Sequence, residues 1–323
     1  MVTRKEVAER AGVSVMTVTR VINRSGYVSE PARRKVLKAI DELRYIPNKT
    51  AVSLVRRENS KMIVIILPDL LNLYYMQLVD CMAEYLSAKG YGVMLRKVTP
   101  KNNNEVLKEL IAGRVSGVLN MAFYPFDEKL VGMMAQYGVR SIYMSAELFN
   151  VEIDYAPAIE EAIKRAAARG VKRVGFLRGK DFLEVIRIKN IKKCCEKYGL
   201  EFCNDPMLIS DYPEGDSFYC GYEYTYEFLK SGRRCDLLFC LNDTMALGAV
   251  KAVSSSGLKV PEDISIIGFD NILTDLYVTP TITSISTDVH EQAEIYASYL
   301  CGAKEVMVQN ISTRVYYRES FPE

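Results

Sequence analysis

The outward-facing residues of a short helical stretch, Val15 to Asn23, have the chemistry needed to contact a polyanion. Val18, Val21 and Ile22 recur at helical spacing, so they mark the buried side of that helix. The other side chains point outward or sideways, and most are polar: Val15, Met16, Thr17, Thr19, Arg20 and Asn23. Guanidinium, amide and hydroxyl groups donate hydrogen bonds to phosphates and base edges. The stretch therefore predicts a helix that lies in a DNA major groove.

A preceding helix gives this stretch the plan of a helix-turn-helix motif. Thr3 and Glu6 have capping-box spacing, which satisfies the amide groups at the start of a helix. Gly12 allows that helix to stop sharply, and Ser14 can cap the next helix, which begins at Val15.

A third helix completes the predicted head. It runs from Ser29, with Pro31 in its first turn, to about residue 43. Its apolar positions have helical spacing and would close a three-helix core: Val36, Leu37, Ile40 and Leu43. Taken alone, the first two helices also fit an ordinary helical hairpin at a chain end.

Charge favours the nucleic-acid interpretation over the plain hairpin. Residues 1–61 contain 14 Lys and Arg against 6 Asp and Glu, a net charge of +8. The whole chain carries only +2, so the remaining residues carry −6. A basic front portion on an acidic body is the electrostatic footprint of a protein that neutralises phosphates.

Composition excludes several other classes of protein. The chain has 323 residues, of which 49% are hydrophobic, so a small domain and a larger one can both be folded. The sequence has no signal region and no apolar run long enough to span a membrane, which predicts a cytoplasmic protein without membrane contact. One histidine and no C-x-x-C pair argue against a metal site, and we expect no cofactor. Nucleophile-elbow and phosphate-loop motifs are absent, which argues against an enzyme.

From residue 61 onward, short apolar runs alternate with amphipathic helices. This alternation predicts doubly wound parallel sheets, and the number of strands requires two similar α/β lobes. The predicted strands are 62–67, 93–98, 117–121, 141–144, 173–177, 207–209, 237–241, 264–268 and 313–317. The predicted helices are 73–89, 103–112, 127–136, 157–169, 184–198, 217–230, 243–256 and 289–300. Ligands on such sheets bind at the carboxyl ends of the strands, here in the cleft between the lobes.

Several stretches of the chain resemble the LacI/GalR family of bacterial transcriptional regulators. They are V-A-E-R-A-G-V-S-V-M-T-V-T-R-V-I-N, Y-I-P-N-K-T-A-V-S-L, C-L-N-D-T-M-A-L-G-A-V, I-S-I-I-G-F-D-N and T-R-V-Y-Y-R-E-S. The resemblance implies an α/β protein with a three-helix helix-turn-helix head over 1–46 and a hinge helix within 47–60. It also implies a two-lobed, periplasmic-binding-protein-like body over 61–323. The implied function is a transcriptional repressor whose operator affinity is controlled by a small molecule.

The resemblance also implies which residues contact DNA. Val15, Met16 and Arg20 occupy the base-reading positions. Arg20 can donate two hydrogen bonds to a guanine, whereas Val15 and Met16 offer apolar contact. Positions that approach phosphates are matched by Thr3, Ser14, Thr17, Thr19, Asn23, Tyr27 and Ser29. Asn48 begins the hinge, and Leu54 matches a leucine that wedges between base steps in the minor groove. Leu54 could instead contact another part of the regulator.

For the ligand pocket, the implied residues are Asn72, Tyr74, Tyr75, Arg187, Asn242 and Asp270. A neutral polyol, in particular a sugar, suits this set because a single arginine faces a single carboxylate. Two of these residues have a structural alternative, since Asp270 could cap a turn and Asn242 could cap a helix. Ser145 stands where many members have an aspartate, so the sequence does not identify the ligand.

Partners follow from the same resemblance. Two identical heads require two half-sites, so we expect a homodimer, or a tetramer, on a near-palindromic double-stranded DNA operator. The alternatives are a relative controlled by a purine or by a partner phosphoprotein, and a solute-binding protein with the same two-lobed body. The basic head argues against the solute-binding protein.

Overall fold

The computed structural model divides the chain into two compact units, Met1–Glu58 and Asn59–Glu323. The residues that the structure describes are 2–23, 25–45, 59–122, 124, 127–143, 152–179, 182–203, 208, 217–305 and 310–322. Within those ranges, no helix is both long and apolar enough to cross a lipid bilayer.

The described residues of the first unit form three short helices, α1 (Arg4–Ala11), α2 (Val15–Asn23) and α3 (Glu30–Glu42). The predicted capping box is present, because Thr3 Oγ1 accepts from the Glu6 amide and the Glu6 carboxylate accepts from the Thr3 amide. Gly12 ends α1 with φ of 64°, a conformation that glycine adopts without strain. The buried core contains Val7, Ala8, Ala11, Val18, Val21, Val36, Ala39 and Tyr45.

The prediction that Leu37 of α3 lies in the core is wrong. Leu37 is 52% exposed, whereas Val36 and Ala39 are buried and Ile40 and Leu43 pack at the edge of the core. An α-helix turns by about 100° per residue, so Leu37 lies well to one side of the stripe centred on Val36. Ala39, which is too small to stand out in the sequence pattern, takes the place expected of Leu37.

The second unit begins with a four-stranded parallel sheet in the order β2-β1-β3-β4. Its elements are β1 (Ser60–Leu67), α4 (Leu73–Ala88), β2 (Gly92–Lys97), α5 (Asn103–Ala112), β3 (Val115–Asn120), α6 (Glu128–Gln136) and β4 (Arg140–Tyr143). The last five residues of β1 are all buried, as expected for a central parallel strand covered by helices on both faces. The strand and helix predictions for this lobe are confirmed to within two residues.

A six-stranded sheet forms the second lobe, in the order β12-β10-β9-β8-β6-β7. Its strands are β6 (Arg173–Leu177), β7 (Glu201–Cys203), β8 (Leu237–Cys240), β9 (Ser265–Phe269), β10 (Thr283–Ser286) and β12 (Arg314–Tyr316). Among the strands that the structure describes in this sheet, β12 at the edge is the one that pairs antiparallel. Its helices are α7 (Ala156–Ala168), α8 (Phe182–Tyr198), α9 (Ser217–Lys230) and α10 (Asp243–Ser255). The strand predicted over 207–209 falls mostly outside the described residues.

Strand β10 was not predicted, because its sequence T-S-I-S contains no apolar run. Its side chains are nevertheless buried, and their hydroxyl groups are satisfied by hydrogen bonds. Ser284 Oγ donates to Asp243 Oδ2 at 2.9 Å, and Ser286 Oγ donates to the Asp270 carbonyl at 2.9 Å. This strand therefore ties α10 to the end of β9.

Two further elements link the lobes. Strands β5 (Glu152–Asp154) and β11 (Asn310–Ser312) pair in parallel on two connections between the sheets. Helix α11 (Val289–Leu300) follows β10 of the second sheet, yet it packs against α4, β3 and β4 of the first lobe. The contact is close, since a Cβ on Gly117 would lie 3.0 Å from the carbonyl oxygen of Leu300.

Candidate functional site

Helix α2 presents an exposed surface opposite its buried side. Val18 and Val21 are buried in the core of the first unit, while Val15 is 45% and Met16 62% exposed. Arg20 is also exposed, and Thr17, Thr19 and Asn23 are partly buried. The proposed base-reading side chains, Val15, Met16 and Arg20, therefore lie on one accessible part of the helix.

Arg20 differs from most basic residues around it. Arg10 pairs with Glu42 at 2.7 Å, and Arg33 and Arg34 lie within 4.0 Å of Glu30. Arg20 forms no ion pair with any residue the structure describes. Its aliphatic stem packs beside the turn that follows α2, 3.5 Å from where a Cβ on Gly26 would lie. The guanidinium charge is thus available to a partner.

Residues matched to phosphate-contacting positions are mostly exposed as well. Tyr27 is 88% exposed, and Thr3 and Ser14 are exposed at the starts of α1 and α2. Ser14 Oγ accepts from the Thr17 amide at 3.2 Å, so this pair also caps α2. Ser29 precedes α3 without a side-chain capping bond. The hinge residues 47–58, which include Asn48 and Leu54, lie outside the described part of the chain.

In the second unit, Arg187 on α8 is buried and held on several sides. Its guanidinium carbon lies 4.5 Å from the centre of the Tyr155 ring and 4.4 Å from that of Phe269. Nη2 donates to the Tyr155 hydroxyl at 2.9 Å, and Nη1 donates to the Leu241 carbonyl. Nη2 also lies 4.0 Å from Asp270 Oδ1. The guanidinium therefore lies against two aromatic rings that are themselves nearly perpendicular, and its contacts with both rings limit its movement.

Asp270 follows β9 in an unusual backbone conformation. Its φ is 109° and that of Asn271 is 54°, values that non-glycine residues seldom adopt. The Asp270 carbonyl accepts from Ser286, and Asn271 Oδ1 accepts from Arg318 Nη2 at 2.5 Å. These bonds hold a conformation that costs energy in isolation, as is common beside binding sites.

The start of α4 lies beside this segment. Gln77 accepts from the Leu273 amide at 2.7 Å and donates to the Asn271 carbonyl at 3.5 Å. Asn72 Oδ1 caps α4 by accepting from the amides of Tyr74 and Tyr75. What Asn72 can offer a ligand is therefore its amide nitrogen.

The two tyrosines differ in their accessibility. Burial raises the pKa of Tyr74 well above its ordinary value, and its hydroxyl donates to Gln292 at 3.0 Å. Tyr75 is only partly buried. Tyr75 is therefore the more accessible of the two aromatic side chains.

Asn242 ends the loop after β8 and caps α10. Its Oδ1 accepts from the Met245 amide at 2.8 Å, and its Nδ2 donates to Ser217 Oγ at 3.3 Å. The structure thus gives Asn242 the capping role that the sequence left as an alternative. A ligand would have to compete for these bonds or use the one remaining lone pair of the amide oxygen.

Sequence reasoning missed the two rings that hold Arg187. Phe269 stands next to Asp270 in the G-F-D-N motif, so the motif itself was a usable signal. Tyr155 follows the unpredicted strand β5, and its proximity to Arg187 depends on how the chain passes between the lobes. No group of three or more His, Cys, Asp or Glu side chains within the described ranges could bind a metal ion.

Sequence comparisons agree with this architecture. Residues 3–48 match the family described as bacterial regulatory proteins, lacI family, and residues 163–321 match a periplasmic binding protein-like domain. The HTH-type transcriptional repressor PurR of Histophilus somni is 30% identical over 308 residues, which cover 88% of this chain and 87% of that protein.

Solved structures give the same result over the whole chain. The lac repressor dimer bound to operator and the anti-inducer ONPF has a TM-score of 0.82 at 25% identity, covering 100% of this chain and 99% of that one. The complex of the transcriptional regulator CelR with cellobiose has a TM-score of 0.66 at 25% identity, covering 99% and 100%. With a helix-turn-helix unit, a body of two mainly parallel sheets and these relatives, the chain belongs to the LacI family of bacterial regulatory proteins, which are ligand-regulated DNA-binding repressors.

Proposed function

We propose that two copies of this chain bind a near-palindromic operator and that a sugar held between the lobes changes their affinity for it. The accessible face of α2, with Arg20 beside Val15 and Met16, carries the DNA half of this proposal. Arg20 suits a guanine edge, and Val15 and Met16 suit a thymine methyl group. The surrounding hydroxyl groups of Thr3, Ser14, Tyr27 and Ser29 suit phosphates, which set register without reading sequence.

The effector half rests on Arg187. A guanidinium held by Tyr155 and Phe269 and set 4.0 Å from Asp270 offers fixed donors beside a fixed acceptor. Sugar hydroxyls both donate and accept, so a neutral polyol fits this pair better than a charged ligand does. The likeness to a regulator solved with cellobiose supports a sugar.

An exposed apolar surface supports a homodimer. Leu273 and Leu276 are exposed, and Tyr277 is 77% exposed. Gln77 holds the Leu273 backbone against α4, whose first residue, Leu73, is exposed too. Soluble proteins seldom leave contiguous apolar side chains exposed unless a partner covers them. We therefore propose this surface, with the start of α4, as the face joining two copies.

Coupling between ligand and operator requires that the ligand favour one of two arrangements of the lobes. We propose that this change alters the hinge, 47–60, so that Leu54 engages the minor groove in one state only. The expected coupling is about 1–3 kcal/mol, which corresponds to a change in affinity of roughly 5–150-fold. By linkage, operator must change sugar affinity by the same factor.

A panel of sugars and nucleobases, screened by thermal unfolding of the full chain, tests the ligand class. A true effector raises the midpoint, and the stabilisation grows with the logarithm of its concentration over its Kd. Stabilisation by a sugar, followed by a matching shift in operator affinity, supports the proposal. Stabilisation by a purine alone would replace the sugar but leave the repressor assignment intact.

A further inference from the structure

Two carboxyl groups lie against each other inside the second lobe. Asp243 is the first residue of α10, and Asp275 lies in a short 3-10 turn, Leu273–Leu276, that follows β9. Both residues are fully buried, and three of their four carboxyl oxygens, Asp243 Oδ1 and both oxygens of Asp275, accept no hydrogen bond from the described residues. Two ionised carboxylates have only acceptors to offer, so buried carboxyl oxygens without donors favour a proton on one of the two groups.

The bonds of Asp243 indicate which oxygen carries that proton. Oδ2 accepts from the Ile272 amide at 3.1 Å and from Ser284 Oγ at 2.9 Å. Oδ1 has no hydrogen-bond donor among the described residues. It also lies against the backbone of Gly268, where a Cβ would come within 2.0 Å of it. Oδ1 is therefore the oxygen that can hold a proton and donate it to Asp275.

The surroundings of Asp275 suit an acceptor. Arg318 Nη1 lies 3.8 Å from Asp275 Oδ2, and this is the one cation facing the pair among the described residues. Asp243 on α10 and Asp270 at the end of β9 add negative charge. Burial raises the pKa of Asp275 to about 7 and raises that of Asp243 well above its ordinary value. His290 lines a surface cavity that Arg318 and Ile272 also line.

We propose that the folded protein holds one proton between Asp243 and Asp275 at neutral pH, with Asp243 as its donor. The proton fixes the turn 270–276, because the same carboxyl group binds Ile272 in that turn and Ser284 in β10. The turn starts at Asp270 and carries the exposed Leu273 and Leu276. Its position is thereby linked to pH, whether or not the proposed effector or dimer face is correct.

The sign of the linkage follows from the raised pKa. The unfolded chain releases this proton near pH 4, whereas the folded chain keeps it. The stabilisation is therefore complete below about pH 4 and declines as pH rises toward the pKa of Asp243 in the folded protein. Above that pKa, two like charges are left in contact and the turn loosens.

Asp243→Asn tests the proposal because the amide replaces the carboxylic acid atom for atom. Its oxygen can accept from Ile272 and Ser284, and its nitrogen can donate to Asp275. Urea unfolding of the full chain at one protein concentration, from pH 5 to 7, gives the unfolding constant of each protein. We expect the unfolding constant of the wild type, divided by that of the variant, to rise by up to tenfold per pH unit. Exposed Glu262→Gln is the matched control and should give a constant ratio.

If Asp243 is ionised in the folded protein, a different result is expected. The variant would then be less stable than the wild type at every pH, with a ratio that does not rise, and the proposal would be overturned. Infrared spectroscopy provides a second readout if Asp243→Asn does not fold. The carbonyl band of an un-ionised carboxyl group should persist in the wild type at pH 7.5. In Asp275→Asn, whose new amide can donate to an ionised Asp243, the band should disappear at a lower pH than in the wild type. Absence of the band from the wild type at pH 7.5 would overturn the proposal.

Discussion

Arg187 donates a hydrogen bond of 2.9 Å to the hydroxyl of Tyr155 while its guanidinium also lies 4.5 Å from the centre of the same ring. Tyr155 therefore contacts the cation through its hydroxyl group and its ring. A lysine could not replace the arginine, because its single ammonium nitrogen lacks the two separate nitrogens that bind Tyr155 and the Leu241 carbonyl.

Arg187→Ala is expected to abolish the response to effector while operator binding remains. The same change should lower the free energy of unfolding by about 3 kcal/mol, because it leaves a nearly buried Asp270 without its cation. Operator titrations with and without ligand, together with urea unfolding, measure both effects. The control is Arg173→Ala, since the pair that Arg173 forms with Glu201 is exposed to solvent and should contribute little to stability. A variant that still responds to ligand would exclude Arg187 from the site.

Arg20→Ala should weaken operator binding by about 1–3 kcal/mol and relax the preference at one base pair in each half-site. The reason is the loss of a planar donor pair that can recognise guanine. Binding to an operator library at fixed salt measures the effect. Exposed Arg34→Ala, on α3, is the control and should weaken binding evenly across sequences. An equal loss at every base pair would show that Arg20 contacts only phosphates.

Leu273→Glu should weaken the homodimer at least tenfold, or on the order of 1.4 kcal/mol, because it buries a charge in the proposed face. Folding should be retained, since the wild-type side chain is 58% exposed. Sedimentation over a range of concentrations measures the dissociation constant. Leu37→Glu, another exposed leucine, is the control, and equal effects from both variants would remove the proposed face.

Gly248→Ala should destabilise the second unit by about 2–3 kcal/mol through overpacking. A Cβ there would lie 2.2 Å from the Phe218 carbonyl oxygen, because the backbones of α9 and α10 are in contact. Gly132→Ala, on an exposed face of α6 with no atom within 4 Å of the new Cβ, should instead stabilise by about 0.5–1 kcal/mol. Thermal unfolding distinguishes the two, and equal shifts would show that α9 and α10 can separate without cost.

Local patterns were enough to predict most helices. Helices α5, α9 and α11 were predicted to the residue, because periodic apolar positions and capping residues are properties of a short stretch of chain. The cap on α1 is another such property, since Thr3 and Glu6 satisfy each other within one turn. The parallel sheets followed from the alternation of strands and helices.

Tertiary environment decided what the sequence did not reveal. Strand β10 is polar in sequence but buried in structure, because its hydroxyl groups find partners on α10 and β9. The candidate site shows the same limit. The motifs identified Arg187 and Asp270, but the contact of Tyr155 with Arg187 and that of Asp243 with Asp275 depend on distant parts of the chain meeting.

The position of helix α11 determines when each lobe can be completed during synthesis. Helix α11 packs against the first sheet, where Leu300 contacts Gly117, although it is synthesised after nearly all of the second sheet. Neither lobe is therefore a continuous stretch of polypeptide. A ribosome must reach residue 300 before the first lobe has all its parts, and a nonsense codon or protease cut just before α11 would leave both lobes incomplete.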